Sequence, residues 1–355
     1  MSLRFFKYAS VYLSIGIIMT SLVFGGKFIF IAPLYIFGLI PLLELFFKGS
    51  TWNMEKAEEE MAKKDWTYDF IVWSVVPLQF TLMFYFLNRV DDGTLALWVK
   101  LGMIFAFGMA CGVLGINVAH ELGHRNTWYE QLMSKMLLST SLYLHFFIEH
   151  NRGHHKNVST DEDPASSRYG ENIYAFFIRS VRDSWLSAWH IEGERLKKAN
   201  QSFWSYHNEM LIYQIIQIGM LATICYVWNW KVMLCFIASA TIGFLLLETV
   251  NYIEHYGLRR KKVDGEYYEK VLPIHSWNSN HPIGRIMLFE LTRHSDHHYL
   301  PSRKYQVLRH FDHSPQMPTG YPGMMVLSLF PPLWFKVMHE HIAKYRATAE
   351  GVDLA

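Results

Sequence analysis

Six apolar runs of roughly twenty residues recur along the chain, near 9–25, 28–47, 69–88, 96–118, 210–228 and 231–250. A hydrocarbon core about 30 Å thick is crossed by about 20 helical residues, so each run predicts a membrane-spanning helix. Residues 137–148 are apolar as well but too short to cross, and are expected to pack against the bundle or lie at the interface. Gly25-Gly26-Lys27 leads straight from the first run into the second, with no small-x-small cleavage site. An uncleaved helical hairpin is therefore expected rather than a secretory signal. Polar residues dominate 49–68, where a short helix is expected over Thr51 to Lys64, and again over 119–208 and 251–355. Turn formers cluster at Pro315, at 318–323 and at Pro331-Pro332. The pattern predicts an all-α fold: one domain, residues 1–355, built as an integral membrane bundle of six transmembrane helices under a helical cap.

Composition agrees. The chain is 51% hydrophobic and only 18% charged, below the roughly 25% charged of soluble domains. Charge then orients the bundle. The loops on one side carry little beyond Lys27, Arg89 and Lys231, whereas the other side holds Lys48, Lys56, Lys63, Lys64 and the run Arg259-Arg260-Lys261-Lys262. The positive-inside rule places that second side, both termini and the cap in the cytoplasm. A formal net charge of +2 with no aromatic-basic platform gives no reason to expect nucleic-acid binding. Cys111, Cys225 and Cys235 fall inside the apolar runs and form no CxxC pair, so they read as small core residues.

Against this background the histidines stand out. Nine of the 18 gather as His120-Glu-Leu-Gly-His124, His150-Asn-Arg-Gly-His154-His155, the lone His255, and His294-Ser-Asp-His297-His298. Every cluster falls beside the expected cytoplasmic end of a run. Spacings of three and four place imidazoles on one helical face, with a third turned by about 100°. Imidazole-rich ligation suits iron, zinc, copper or nickel rather than magnesium or calcium. Nine donors exceed what one ion takes, so a histidine-rich two-metal site is expected. Glu121, Glu149, Glu254 and Asp296 sit within or beside the clusters. A ligating imidazole usually donates its other N–H to a carboxylate or carbonyl, so these acids are expected behind the imidazoles, with ordinary interfacial charge as the alternative.

The motifs resemble the histidine boxes of the membrane fatty-acid desaturase and hydroxylase superfamily. Within it, HELGH (120–124), EHNRGHH (149–155), NYIEHYGL (251–258) and RHSDHH (293–298) resemble the alkane 1-monooxygenase family, as do Tyr305-Gln306 and PTGYPG (318–323). The resemblance covers roughly residues 50–340. Arg125 stands where Lys is common and Thr292 where Gln is common, which leaves subfamily and chain-length preference open.

The resemblance implies a non-haem centre of two Fe ions that uses O₂ to hydroxylate the terminal methyl of an n-alkane. The implied ligands are His120, His124, His150, His154, His155, His255, His294, His297 and His298. His281 joins the acids as a neighbour of the metals, because superfamily relatives use Asn and His there. Rubredoxin and an NADH-dependent rubredoxin reductase are implied as electron donors, and the chain itself carries no dinucleotide fingerprint, haem motif or cysteine quartet. Arg259, Arg260, Lys261 and Lys262 could dock an acidic donor or serve as membrane-side anchors. Alkane would arrive from the bilayer, since each buried CH₂ is worth about 0.8 kcal/mol. Val113 and Ile116 lie on the His120 face of the fourth run and could line a substrate tunnel, with Gly108, Gly112 and Gly115 leaving room; close helix packing is the competing account. An aryl-methyl or fatty-acyl ω-hydroxylase is the neighbouring alternative. A metal transporter or sensor is the alternative from another class, disfavoured because no run contains a charged pathway beyond Glu248.

Overall fold

The computed structural model describes residues 3–263 and 265–349. The parts of the single-domain expectation at residues 1, 2, 264 and 350–355 lie outside them. The described chain is helical apart from a two-stranded antiparallel ribbon, Lys262–Val263 with Tyr267–Tyr268.

Six helices are long and apolar enough to cross a membrane: Phe5–Phe24, Gly26–Glu44, Trp66–Val90, Leu97–Gly123, Glu209–Val227 and Trp230–His255. They match the six expected runs, with two informative extensions. Span four continues to Gly123 and span six to His255, so His120 and His255 belong to the spanning helices themselves. Apolar content does not mark those last turns, because they carry the chemistry. The outward faces keep large apolar side chains exposed, including Phe24, Leu34, Leu42, Ile215 and Ile218. Such surface suits lipid and not water.

Local capping explains several boundaries. The Asp65 side chain accepts from Thr67 N at the start of span three, Asn208 from Leu211 N before span five, and Asn229 from Lys231 N and Val232 N before span six. Each satisfies amides that a helix start leaves unpaired. The short helix between spans two and three runs Lys56–Lys64, starting five residues later than the expected Thr51. Residues 137–148 pack inward as expected of a run too short to cross, with Leu137, Leu138, Tyr143 and Leu144 buried.

Spans four and six form the central pair. A Cβ at Gly112 would meet Gly243 O at 2.9 Å, and one at Gly243 would meet Cys111 Cβ at 2.5 Å. The two backbones therefore cross where only glycine fits, as small-residue packing between membrane helices requires. Gly108 is thus taken up in close helix packing against Ile242, whereas Gly112, packed on Gly243 and Leu246, also borders the apolar cavity that Val113 and Ile116 line. The polar segments after span four and after span six pack on the bundle where these two helices end.

Candidate metal centre

Nine imidazoles converge at the ends of spans four and six. They form two groups, within each of which one ligand atom per residue lies within 4.8 Å of the others: His120, His124, His150, His155 and His297 in one, His154, His255, His294 and His298 in the other. Eight of these are the histidines that the spacing singled out, and the ninth is His255, which the resemblance added.

The partition follows from local backbone. His120 and His124 are four apart on span four and enter the same group. In the second box the four-residue pairing of His150 with His154 does not hold. The chain forms a π-helical turn over His150–His154, with His155 N donating to His150 O. That wider turn puts His150 and His155 together and sends His154 to the other group. In the third box, the helix His294–Tyr299 directs His294 and His298 to one group and His297 to the other.

The donor atoms fit metal ions better than they fit one another. His124, His150 and His155 Nε2 lie 3.0–3.2 Å apart in a triangle. Three imidazoles cannot all be joined by linear N–H···N bonds in that arrangement. A point shared by the three lies about 1.8 Å from each nitrogen, and a small step out of their plane reaches the roughly 2.0–2.1 Å of a metal–imidazole bond. The other group repeats the spacing: His298 Nε2 is 2.9 Å from His294 Nε2 and 3.2 Å from His154 Nε2. His120 and His255 Nε2 are buried with no hydrogen-bond partner. Burial first, and neighbouring imidazoles second, push His150, His155, His294, His297 and His298 well below the ordinary histidine range, and His124 to about 3. The rings are therefore neutral, with lone pairs free to ligate.

The acids divide differently from the sequence expectation. Asp163, which sequence reasoning passed over, accepts from His154 Nδ1 at 2.9 Å and is itself held by Ser166 Oγ and Ala165 N. Burial opposes its ionisation, but the facing His154 and these hydrogen bonds outweigh it and keep the carboxyl below its usual range. It sits in Thr160-Asp-Glu-Asp-Pro164, which reads as a solvated loop. Glu254 Oε2 lies 3.0 Å from His294 Nε2. Glu121 instead joins Arg125 at 2.6 Å and Tyr305 N at 3.2 Å, and Asp69 pairs with the same guanidinium. Asp296 binds Arg303 at 3.0 Å and Arg309 N at 2.7 Å. Glu149 is raised by burial, and further by Asp163 and Glu248, with Ser187 as its hydrogen-bond partner. His281 Nδ1 pairs with Ser279 Oγ at 3.1 Å, away from both groups.

An apolar cavity of about 750 Å³, counting its open mouth, ends at the histidines. Its walls include Ile36, Val113, Ile116, Leu246 and Met325, and its inner end carries His120, His150, Glu254 and His294. Val113 and Ile116 thus face this space. In the basic run, Arg260 is committed to Glu269 O and Lys156 O, both at 2.8 Å, and Arg259 faces Asp161 at 3.6 Å, while Lys261 and Lys262 are exposed.

A membrane bundle holding two histidine groups at one end defines the class, and residues 93–341 match the fatty acid desaturase family. The chain is 41% identical to alkane 1-monooxygenase 2 of Pseudomonas aeruginosa over 89% of its length and 84% of the relative's. It is 37% identical to the alkane 1-monooxygenase of Ectopseudomonas oleovorans, over 91% and 80%. The xylene/toluene monooxygenase hydroxylase component of Pseudomonas putida is 30% identical over 74% and 70%. The chain belongs to the alkane 1-monooxygenase family, within the membrane fatty acid desaturases.

Proposed function

We propose that this chain is an alkane 1-monooxygenase that hydroxylates the terminal methyl of medium- to long-chain n-alkanes, using O₂ and two iron ions held by the nine histidines. The observation that carries the reading is the convergence of five and four imidazoles beside an apolar cavity that His120, His150 and His294 help to line. Iron held there would supply the activation of O₂ and the attack on the C–H bond.

The chain's own residues do the rest. The aliphatic walls take up an alkyl chain from lipid. An apolar lumen offers water no partners, so the methyl reaches the histidine end without competing solvent. Asp163 fixes the ring of His154, and Arg125 ties Glu121 and Asp69 beneath the first box. Positive charge on the loops beside the histidines supports a cytoplasmic site in the inner membrane, with both termini on that side. Rubredoxin, reduced by an NADH-dependent reductase, is the donor the family relationship suggests. Lys261 and Lys262, the latter over the Tyr268 ring, are the exposed cations of the basic run that it could meet.

Membranes carrying the chain, supplied with rubredoxin, its reductase, NADH and ¹⁸O₂, test the reading. Octane and hexadecane should yield 1-alkanols bearing ¹⁸O. Benzylic alcohol from xylene, or an ω-hydroxy ester from a fatty-acid ester, formed faster than any alkanol, would move the chain to a neighbouring activity.

A further inference from the structure

The two histidine groups are unequal. One offers five protein donors and the other four, and the poorer group is the one beside Glu254. Glu254 is 1% exposed and immediately precedes His255 at the end of span six. Its Oε2 stands 3.0 Å from His294 Nε2. That nitrogen is also the one lying 2.9 Å from His298 Nε2, so it is the atom His294 turns into the group.

A nitrogen that offers its lone pair to a metal has no proton to give a carboxylate. Two lone-pair donors 3.0 Å apart would then repel, unless a cation lies between them. Donors bound side by side to one ion, each at roughly 2.0–2.2 Å, are about 3 Å apart, which is the separation found. The Tyr321 hydroxyl is the other hydrogen-bonding neighbour of this carboxyl, and Oε1 has no further partner. Asp163 shows the contrasting arrangement, since it meets the outer Nδ1 of His154 and leaves the inner Nε2 free.

We propose that Glu254 is itself a metal ligand, the fifth protein donor of the four-histidine site, and not a hydrogen-bond acceptor behind an imidazole. The proposal rests on the reading that the nine histidines hold two ions. A hard anionic oxygen on one ion only makes the two ions electronically inequivalent. It also places that carboxylate at the inner end of the cavity, where it and His294 both line the wall.

The purified chain, loaded with ⁵⁷Fe(II), provides the test through iron content and Mössbauer spectra. Wild type should hold two ions per chain and show two distinct quadrupole doublets. Fewer than two ions in wild type would overturn the two-ion reading itself, before any variant is read. At saturating iron, Glu254→Gln should leave one doublet in place and shift or remove the other. Glu254→His should restore the second ion, because imidazole can replace the lost donor. A carboxylate behind an imidazole tunes affinity, as at Asp163, but leaves the donor set alone, so the hydrogen-bond account requires Glu254→Gln at saturating iron to keep both doublets unshifted, and that result would overturn the proposal. Should the glutamine variant not fold, Glu254→Asp, which withdraws the carboxylate by one methylene, is read in the same way: two unchanged doublets overturn it.

Discussion

Asp163 Oδ2 and His154 Nδ1 are 2.9 Å apart, and both side chains are almost wholly removed from solvent. This carboxylate–imidazole contact fixes the tautomer of His154 and aims its Nε2 at His298. Removing such an acid typically costs 10–100-fold in metal affinity or activity. Asp163→Asn should therefore lower iron retention against a chelator by about that factor, with the helical content unchanged. Retention equal to wild type would show that packing alone orients the ring.

His255 has the thinnest support from spacing, yet its Nε2 is buried and unpaired beside the four-histidine group. His255→Ala should abolish hydroxylation and remove about one ion of two while the protein still inserts. His190 and His207 are exposed, so His190→Ala and His207→Ala should keep most activity and both ions. Full activity in His255→Ala would exclude it as a ligand.

Val113 and Ile116 face the cavity within the π-helical stretch of span four. Enlarging either to Trp should shorten the longest alkane accepted and leave iron content unchanged. General overpacking, which costs typically 1–3 kcal/mol, would instead reduce folded protein for all substrates alike. The ratio of octane to hexadecane turnover per iron decides between them: a rise supports the lining role, and an unchanged ratio removes it.

Glu290 anchors the N-terminal helix to the segment that carries the third histidine box. It meets Lys7 at 2.9 Å, Tyr8 Oη at 2.6 Å and Arg285 at 2.6 Å. Burial alone would raise this carboxyl, but Lys7, Arg285 and Arg293 outweigh it and hold it below its usual range. A depressed folded-state pKa contributes stability above the unfolded value, near 4.3, and that contribution is lost as pH falls through the folded value. The midpoint of thermal unfolding in detergent should accordingly drop on the acid side. Glu290→Gln should remove that part of the pH dependence and destabilise by about 3–5 kcal/mol, as breaking one side of a buried ion pair does. An unaltered acid limb in the variant would assign the loss to other carboxylates.

Much of the protein was legible because its signals are local. Twenty-residue apolar runs announce membrane helices, since lipid leaves no backbone group to water. Eight of the nine histidines announced themselves by spacing, because a helix turns residues three and four apart onto one face; His255 did not. The acids were harder to read: Glu121 lies one residue from His120, yet it is taken by Arg125 and Tyr305.

What the chain determined by itself was the membrane bundle and the stock of imidazoles. Which imidazole joins which group was decided only in three dimensions. A π-helical turn pairs His150 with His155 and frees His154 for Asp163 and His298. The glycine crossing of spans four and six brings His120 and His255 to a common end, although they are far apart in sequence. The same crossing fills the room at Gly108 with Ile242 and leaves the cavity beside Gly112, Val113 and Ile116. Periodicity reports which face a side chain takes on its own helix; the helix that will stand opposite is set by packing across the whole bundle.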